Sequence, residues 1–209
     1  MSSALSESAL AAIQQGELRE VRSSRNFTLA SFTMDGPILV ETKRFGDARG
    51  AFSETYSARD FAACGLTTEF VQDNFSISQP VGTLRGLHFQ SQPEPQAKLV
   101  RVLAGRVLDV AVDLRRGSAT YGQYVAVELS AEAGNQLYVP VGFAHGFCTL
   151  EPDCAVAYKV SGYYAPACDK GLAWDDPDVG IRWTLPEGGP VLSDKDSRQP
   201  RLRDLPDYF

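Results

Sequence analysis

A chain of 209 residues has room for one well-filled domain and little for a second, and 44% hydrophobic with 22% charged residues excludes disorder as its overall state. A net charge of -6 and a pI near 5.0 argue against a face built for nucleic acid or an anionic membrane, while leaving room for an anionic small ligand in a local cluster of cations. No window approaches the roughly 20 apolar residues of a membrane span, and the first residues lack the basic start and apolar run of an export signal.

In chain order, residues 1–34 differ in texture from the remainder of the chain. Leu5, Ala9, Ala12 and Ile13 recur at helical spacing behind Ser2 and Ser3, which predicts a short, marginal helix within residues 4–20, interrupted by Gly16. Residues 23–26 read as a linker. The whole stretch is expected to be a leader that packs on a neighbour or stays mobile, ahead of one domain over 35–209. From Ile38 the pattern is that of strands: 38–45, a turn over 46–50, then 51–56. Ser57 and Gly65 bracket a short helix as cap and terminator, and a strand comes next over 70–78. Further strands over 98–103, 106–114, 122–129 and 136–140 are separated by turns without long helical crossovers, which favours a small closed β-fold over an α/β sheet. A last strand covers 155–160. Asp175-Asp176-Pro177 reads as a turn despite its paired carboxylates, and Trp174 and Trp183 read as packing residues.

The chain has two histidines. His88 lies in the alternating segment 83–89, where a strand period of two aims Arg85 and His88 to opposite sides unless a bulge at Gly86 re-aims one of them. Taken alone, His88 reads more readily as a wet imidazole on a surface strand than as a functional group. His145 ends the pattern Pro140-x-Gly142-x-x-His145, which resembles the second motif of cupin jelly rolls. Cupin metal sites take two histidines from a first H-x-H motif and a nearby carboxylate. Here His88 is followed by Phe89, Gln90 and Ser91, and Lys98 adds a positive charge, so neither metal nor cofactor is expected. Cys64, Cys148, Cys154 and Cys168 form no C-x-x-C pair and read as reduced, partly buried residues of a cytoplasmic chain.

The segments 45–50, 70–74, 84–89, 96–101, 109–113, 142–147, 158–159, 163–164, 174–176 and 192–196, in that order, resemble the dTDP-4-dehydrorhamnose 3,5-epimerase family, metal-free cupins of deoxysugar-nucleotide biosynthesis. The resemblance implies an all-β cupin jelly roll with a few short helices. It implies a dTDP-4-keto-6-deoxyhexose substrate, inverted at C3 and C5 without a cofactor. His88 would be the base, Tyr158 the opposing acid, Asp196 the carboxylate partner of the histidine, and Lys98 the cation beside the developing enolate. Arg49, Arg85, His145 and Lys195 would hold the diphosphate. Gln72, Asp73, Asn74, Glu54 and Asp169 would lie at the nucleotide, with Phe52 or Tyr164 packing on thymine or sugar. The resemblance further implies a homodimer with shared sites, because the segment carrying Arg49 to Glu54 reaches the partner subunit in relatives. A mono-epimerase acting at C3 or C5 alone would use the same residues, and a binding-only cupin would lack one of the acid-base set.

Overall fold

The computed structural model describes residues 4–209. Its elements in order are α1 (Glu7–Ala11), β1 (Ile13–Gln15), β2 (Leu18–Ser23), β3 (Phe27–Phe32), β4 (Ile38–Thr42), β5 (Phe45–Asp47), β6 (Gly50–Phe52) and α2 (Ala58–Ala63). After α2 come β7 (Gln72–Ser78), β8 (Leu84–Gln90), β9 (Lys98–Ala104), β10 (Arg106–Asp113), β11 (Tyr124–Ser130), β12 (Gln136–Val139), β13 (Phe143–Thr149), β14 (Cys154–Val160) and β15 (Asp169–Gly171). One sheet has the order β1-β11-β10-β13-β8-β15, and the other β2-β3-β4-β12-β9-β14-β7. Every pairing within them is antiparallel, and the two sheets face each other as the jelly roll of a cupin. β5 and β6 pair only with each other, as an exposed hairpin.

Alternation along the strands builds the core. Ala111, Val125, Phe143 and Phe147 of the first sheet meet Val100, Leu137, Val156 and Leu39 of the second in the layer between them. The outer face of the first sheet buries Leu87, Phe89, Leu108 and Val110 under Leu172, Leu202 and Leu205 of the C-terminal segment. Helix α2 covers part of the outer face of the second sheet, with Phe61 edge-on to Phe27 at 5.0 Å and to Tyr56 at 5.1 Å. Its expected cap is present: Ser57 accepts from the Asp60 N–H, and Gly65, at φ +88°, lets Leu66 N–H close back on the Phe61 carbonyl. All four cysteines are buried and unpaired.

The N-terminal stretch differs from its expectation. The helix within 4–20 is confined to Glu7–Ala11, capped by Ser6; Ser2 and Ser3 lie outside the described residues. Beyond it the chain turns to strands: β1 adds to β11 of one sheet and β2 to β3 of the other, and of the expected linker 23–26, Ser23 ends β2 while 24–26 form the turn into β3. Leu5, Ala9, Ala30 and Phe32 enter the core between the sheets, so the segment packs on its own domain. The physical reason is that open sheet edges and an uncovered apolar layer were available to a sequence too short of helical turns to stand alone.

Strand β8 carries an irregularity that decides where the site can be. It pairs with β13 so that His88 lies opposite His145 and Arg85 opposite Phe147. Gly86 and Leu87 therefore stand together against the single residue Gly146, a bulge that sends Arg85 and His88 to the same face. Gly86 has φ +133°, and a Cβ there would fall 2.6 Å from Gly146 Cα. Gly86→Ala is expected to destabilise the fold by about 3 kcal/mol and to remove activity, as read by urea unfolding and an activity assay; a variant of wild-type stability would show that the strand accommodates a side chain here.

Candidate active site

Facing strands of the two sheets bring His88 from β8, Lys98 from β9, Tyr158 from β14, and Gln72 and Asn74 from β7 to one cavity of about 230 Å³. Asp169 of β15 and the loop residues Tyr164 and Lys195 complete its polar rim. His88 and Tyr158 stand on opposite walls, because they belong to opposite sheets.

Asp196 reaches His88 from 108 residues away in sequence, on a 3-10 turn at Asp196–Arg198. The strap bearing it is stitched beside β8: Val191 N–H donates to the Gly82 carbonyl at 2.8 Å, and Leu84 N–H to that of Val191 at 3.0 Å. Asp196 Oδ1 lies 2.5 Å from His88 Nε2. Burial pushes this carboxyl up, but the hydrogen bond and charge of His88, the Ser193 hydroxyl and Lys195 outweigh it and hold it below the usual carboxylate range. An ionised Asp196 only accepts, so Nε2 carries the proton and the lone pair of the neutral ring is on Nδ1. Asp194, two residues earlier, points to solvent and lies 3.7 Å from Arg198.

Lys98 donates to the His88 carbonyl at 3.3 Å. Burial pulls its ammonium down to about 8, with Lys195 adding to the effect and Asp109 and Asp169 opposing it. Burial also raises the Tyr158 phenol, against a smaller opposing effect of Arg85. Arg85 crosses between the sheets and donates to Ser78 Oγ and the Ile77 carbonyl, each at 3.0 Å. Asp169 accepts from Lys195 at 2.5 Å and from the Tyr164 hydroxyl at 3.0 Å.

Several expected contact residues lie elsewhere. Asp73 alternates with Gln72 and Asn74, so it points to the outer face of the second sheet, 2.9 Å from Lys159 Nζ. His145, expected among the diphosphate cations, is 6% exposed, with Nε2 2.9 Å from both oxygens of the fully buried Asp109. It lies beneath the cavity as a satisfied pair. Arg49 and Phe52 are on the β5–β6 hairpin, where Arg49 Nη2 is 2.6 Å from Asp47 and Phe52 is 65% exposed. Glu54 accepts from the Asn26 amide. None of these side chains lines the His88 cavity within this chain.

Two glutamines missed in the sequence shape the rim. Buried Gln90 donates to the carbonyls of Glu94 and Tyr163 and accepts from Ala165 N–H, while Gln96 donates to the Gly162 carbonyl at 2.6 Å. Gln90 tethers the segment carrying Tyr164 to β8 and Gln96 tethers it to the loop before β9; the signal for Gln90 was a polar side chain closing the strand. Among the described residues no group of three or more His, Cys, Asp or Glu is placed to hold a metal ion. No helix among them is long and apolar enough to cross a membrane.

A family model described as dTDP-4-dehydrorhamnose 3,5-epimerase matches residues 31–204. The chain is 51% identical over 171 residues to the dTDP-4-dehydrorhamnose 3,5-epimerase of Sinorhizobium fredii, covering 82% of this chain and 87% of that one. Its fold matches the crystal structure of dTDP-4-dehydrorhamnose 3,5-epimerase from Elizabethkingia anophelis with a TM-score of 0.81 at 42% identity, over 86% of this chain and 98% of that one. It also matches dTDP-6-deoxy-D-glucose-3,5-epimerase from Legionella pneumophila in complex with dTDP-4-keto-L-rhamnose, with a TM-score of 0.80 at 43% identity, over 90% and 94% of the two chains. With an imidazole and a phenol on opposing walls of one polar cavity, and with similarity of this extent, the chain belongs to the dTDP-4-dehydrorhamnose 3,5-epimerase family of isomerases.

Proposed function

We propose that this chain converts dTDP-4-dehydro-6-deoxy-α-D-glucose to dTDP-4-dehydro-β-L-rhamnose, with His88 as base and Tyr158 as acid. The observation that carries the assignment is their placement on opposite walls of the cavity that holds Lys98. The C4 ketone acidifies the hydrogens on C3 and C5. His88 removes one of them through its free ring nitrogen, and negative charge develops on O4. Asp196 keeps the ring in the Nε2–H tautomer and stabilises the imidazolium. The Lys98 ammonium, largely shielded from water, favours the enolate over the ketone. Tyr158, protonated at neutral pH, delivers a proton to the opposite face, which inverts the carbon. His88 then releases its proton to water and the Tyr158 phenolate takes one from water, after which the same groups act at the second carbon.

Lys195 and Arg85 bind the diphosphate, Lys195 exchanging Asp169 for phosphate oxygens, while Gln72, Asn74 and Tyr164 meet the nucleotide. A second copy of the chain supplies Arg49 and Phe52. Two features support this homodimer: the unpaired β5–β6 hairpin, and the exposed apolar outer face of the second sheet at Phe75 (58%), Ile77 (57%) and Leu103 (45%). Four unpaired buried cysteines accord with a reducing compartment, so the reaction is assigned to the cytoplasm.

Proton NMR of the substrate and enzyme in D₂O is expected to show deuterium entering at both C3 and C5, with His88→Ala abolishing exchange at each. Label at a single carbon would make the chain a mono-epimerase. Mixing Arg49→Ala with His88→Ala protein after co-refolding is expected to restore activity absent from either alone, since one intact shared site forms in the mixed dimer; no recovery would place Arg49 outside the site. For Lys98, the folded value near 8 lies below the unfolded value of about 10.4. The unfolded chain therefore binds more protons between these pH values, and this group costs stability while charged. Lys98→Met is expected to raise the thermal midpoint at pH 7 while lowering kcat about 100-fold or more. The wild-type rate should fall above pH 8 as Lys98 deprotonates, and Lys98→Arg should move that limb upward.

A further inference from the structure

Only one oxygen of Asp196 meets His88. The other, Oδ2, accepts a hydrogen bond of 2.9 Å from the Ser193 hydroxyl, while the Asp196 backbone N–H donates to the same Ser193 Oγ at 3.1 Å. Ser197 N–H closes on the Ser193 carbonyl at 3.0 Å, so the hydroxyl sits on a fastened turn. This reciprocal pairing sets the side-chain torsion of Asp196, and with it the direction from which Oδ1 meets Nε2. We propose that Ser193 is a positioning residue of the epimerase, acting through Asp196 to aim and keep ionised the carboxylate that orients His88. The inference rests on His88 being the base.

Ser193 is an exposed residue with water at hand, yet its hydroxyl turns onto a carboxylate that is 5% exposed. That carboxylate needs a second donor. Lys195, the neighbouring cation, is engaged by Asp169 at 2.5 Å, and among the described residues His88 and Ser193 are the hydrogen-bond donors to the Asp196 side chain. An Asp196 held by His88 alone rotates about its terminal torsion and spends part of its time aimed poorly at the ring. The base must pass through the imidazolium at each carbon it inverts, so misalignment slows both inversions.

The other charged or titratable groups around the pair are Asp194, Lys195 and Arg198 on the same turn, Lys98 from β9, Asp109 and His145 from β10 and β13, Tyr158 from β14, Tyr164 from the loop after it and Asp169 from β15. Ser193→Ala alters none of them. It withdraws one donor from a buried carboxylate, which makes the Asp196–His88 pair hold its proton more tightly.

The test compares Ser193→Ala, Ser193→Thr and His88→Ala in steady-state kinetics across pH, in C3 and C5 deuterium exchange, and in thermal melts. Ser193→Ala is expected to lower kcat about tenfold with KM unchanged and to move the acid limb of kcat/KM to higher pH, while Ser193→Thr restores both. A wild-type rate and acid limb in Ser193→Ala, or a lower melting temperature with the acid limb unmoved, would overturn the proposal and leave Ser193 a turn residue. In those cases inactive His88→Ala confines the failure to Ser193, whereas exchange persisting in His88→Ala removes the catalytic assignment on which it rests.

Discussion

The backbone of Gly86 meets that of Gly146 with no room for a side chain between them, and the aim of the catalytic groups depends on that contact. In a regular strand, Arg85 and His88 would diverge, one of them directed at the outer apolar layer beneath the C-terminal segment. The extra residue lets Leu87 and Phe89 enter that layer while His88 and Arg85 both turn inward. The bulge thus serves packing and chemistry at once. It also reserves position 86 for glycine, because its φ is of a kind that side chains rarely adopt.

An acidic chain seats basic side chains in and around its site by matching most of them to carboxylates. Lys195 meets Asp169, His88 meets Asp196, His145 meets Asp109, and Arg115 meets the fully buried Asp113. Lys98 stands apart from this pattern: its hydrogen bond goes to a backbone carbonyl, and Asp109 and Asp169 act on it only by charge at longer range. Burial therefore prevails, and its ammonium titrates below the ordinary lysine range. A cation left without a contacting carboxylate has its field free for a charge that appears during reaction, in keeping with the proposed role beside O4.

Much of the fold could be read from the chain because its signals were local. Alternation marked the strands from β7 to β12 and β14, Ser57 and Gly65 marked the ends of α2, and Gly86 marked where a bulge could fall before any partner strand was known, whereas β13 was marked only by the motif ending at His145. The N-terminal stretch misled because Leu5, Ala9, Ala12 and Ile13 fit a helical period over too few turns, and tertiary contacts turned Ile13 into a strand residue. At the site, no local pattern joins Asp196 to His88; only the resemblance linked them, and the strap beside β8 supplies the physical connection. The same resemblance grouped Gln72, Asp73 and Asn74, although strand alternation sends the middle one to the other face. His145 could be singled out, but its partner Asp109 lies on a neighbouring strand and is met only through register.

The N-terminal strands have a mechanical consequence. β1 and β2 are consecutive in the chain, yet each extends a different sheet, and both lie at the edge remote from β8, β14 and the cavity. A two-residue connection, Gly16-Glu17, thus joins the two sheets along the side opposite the cavity. On the cavity side the sheets are joined again, by the short link from β7 to β8 and by Arg85 of β8 donating to Ser78 and Ile77 of β7, so the sandwich is laced along both long sides and the catalytic walls keep their spacing.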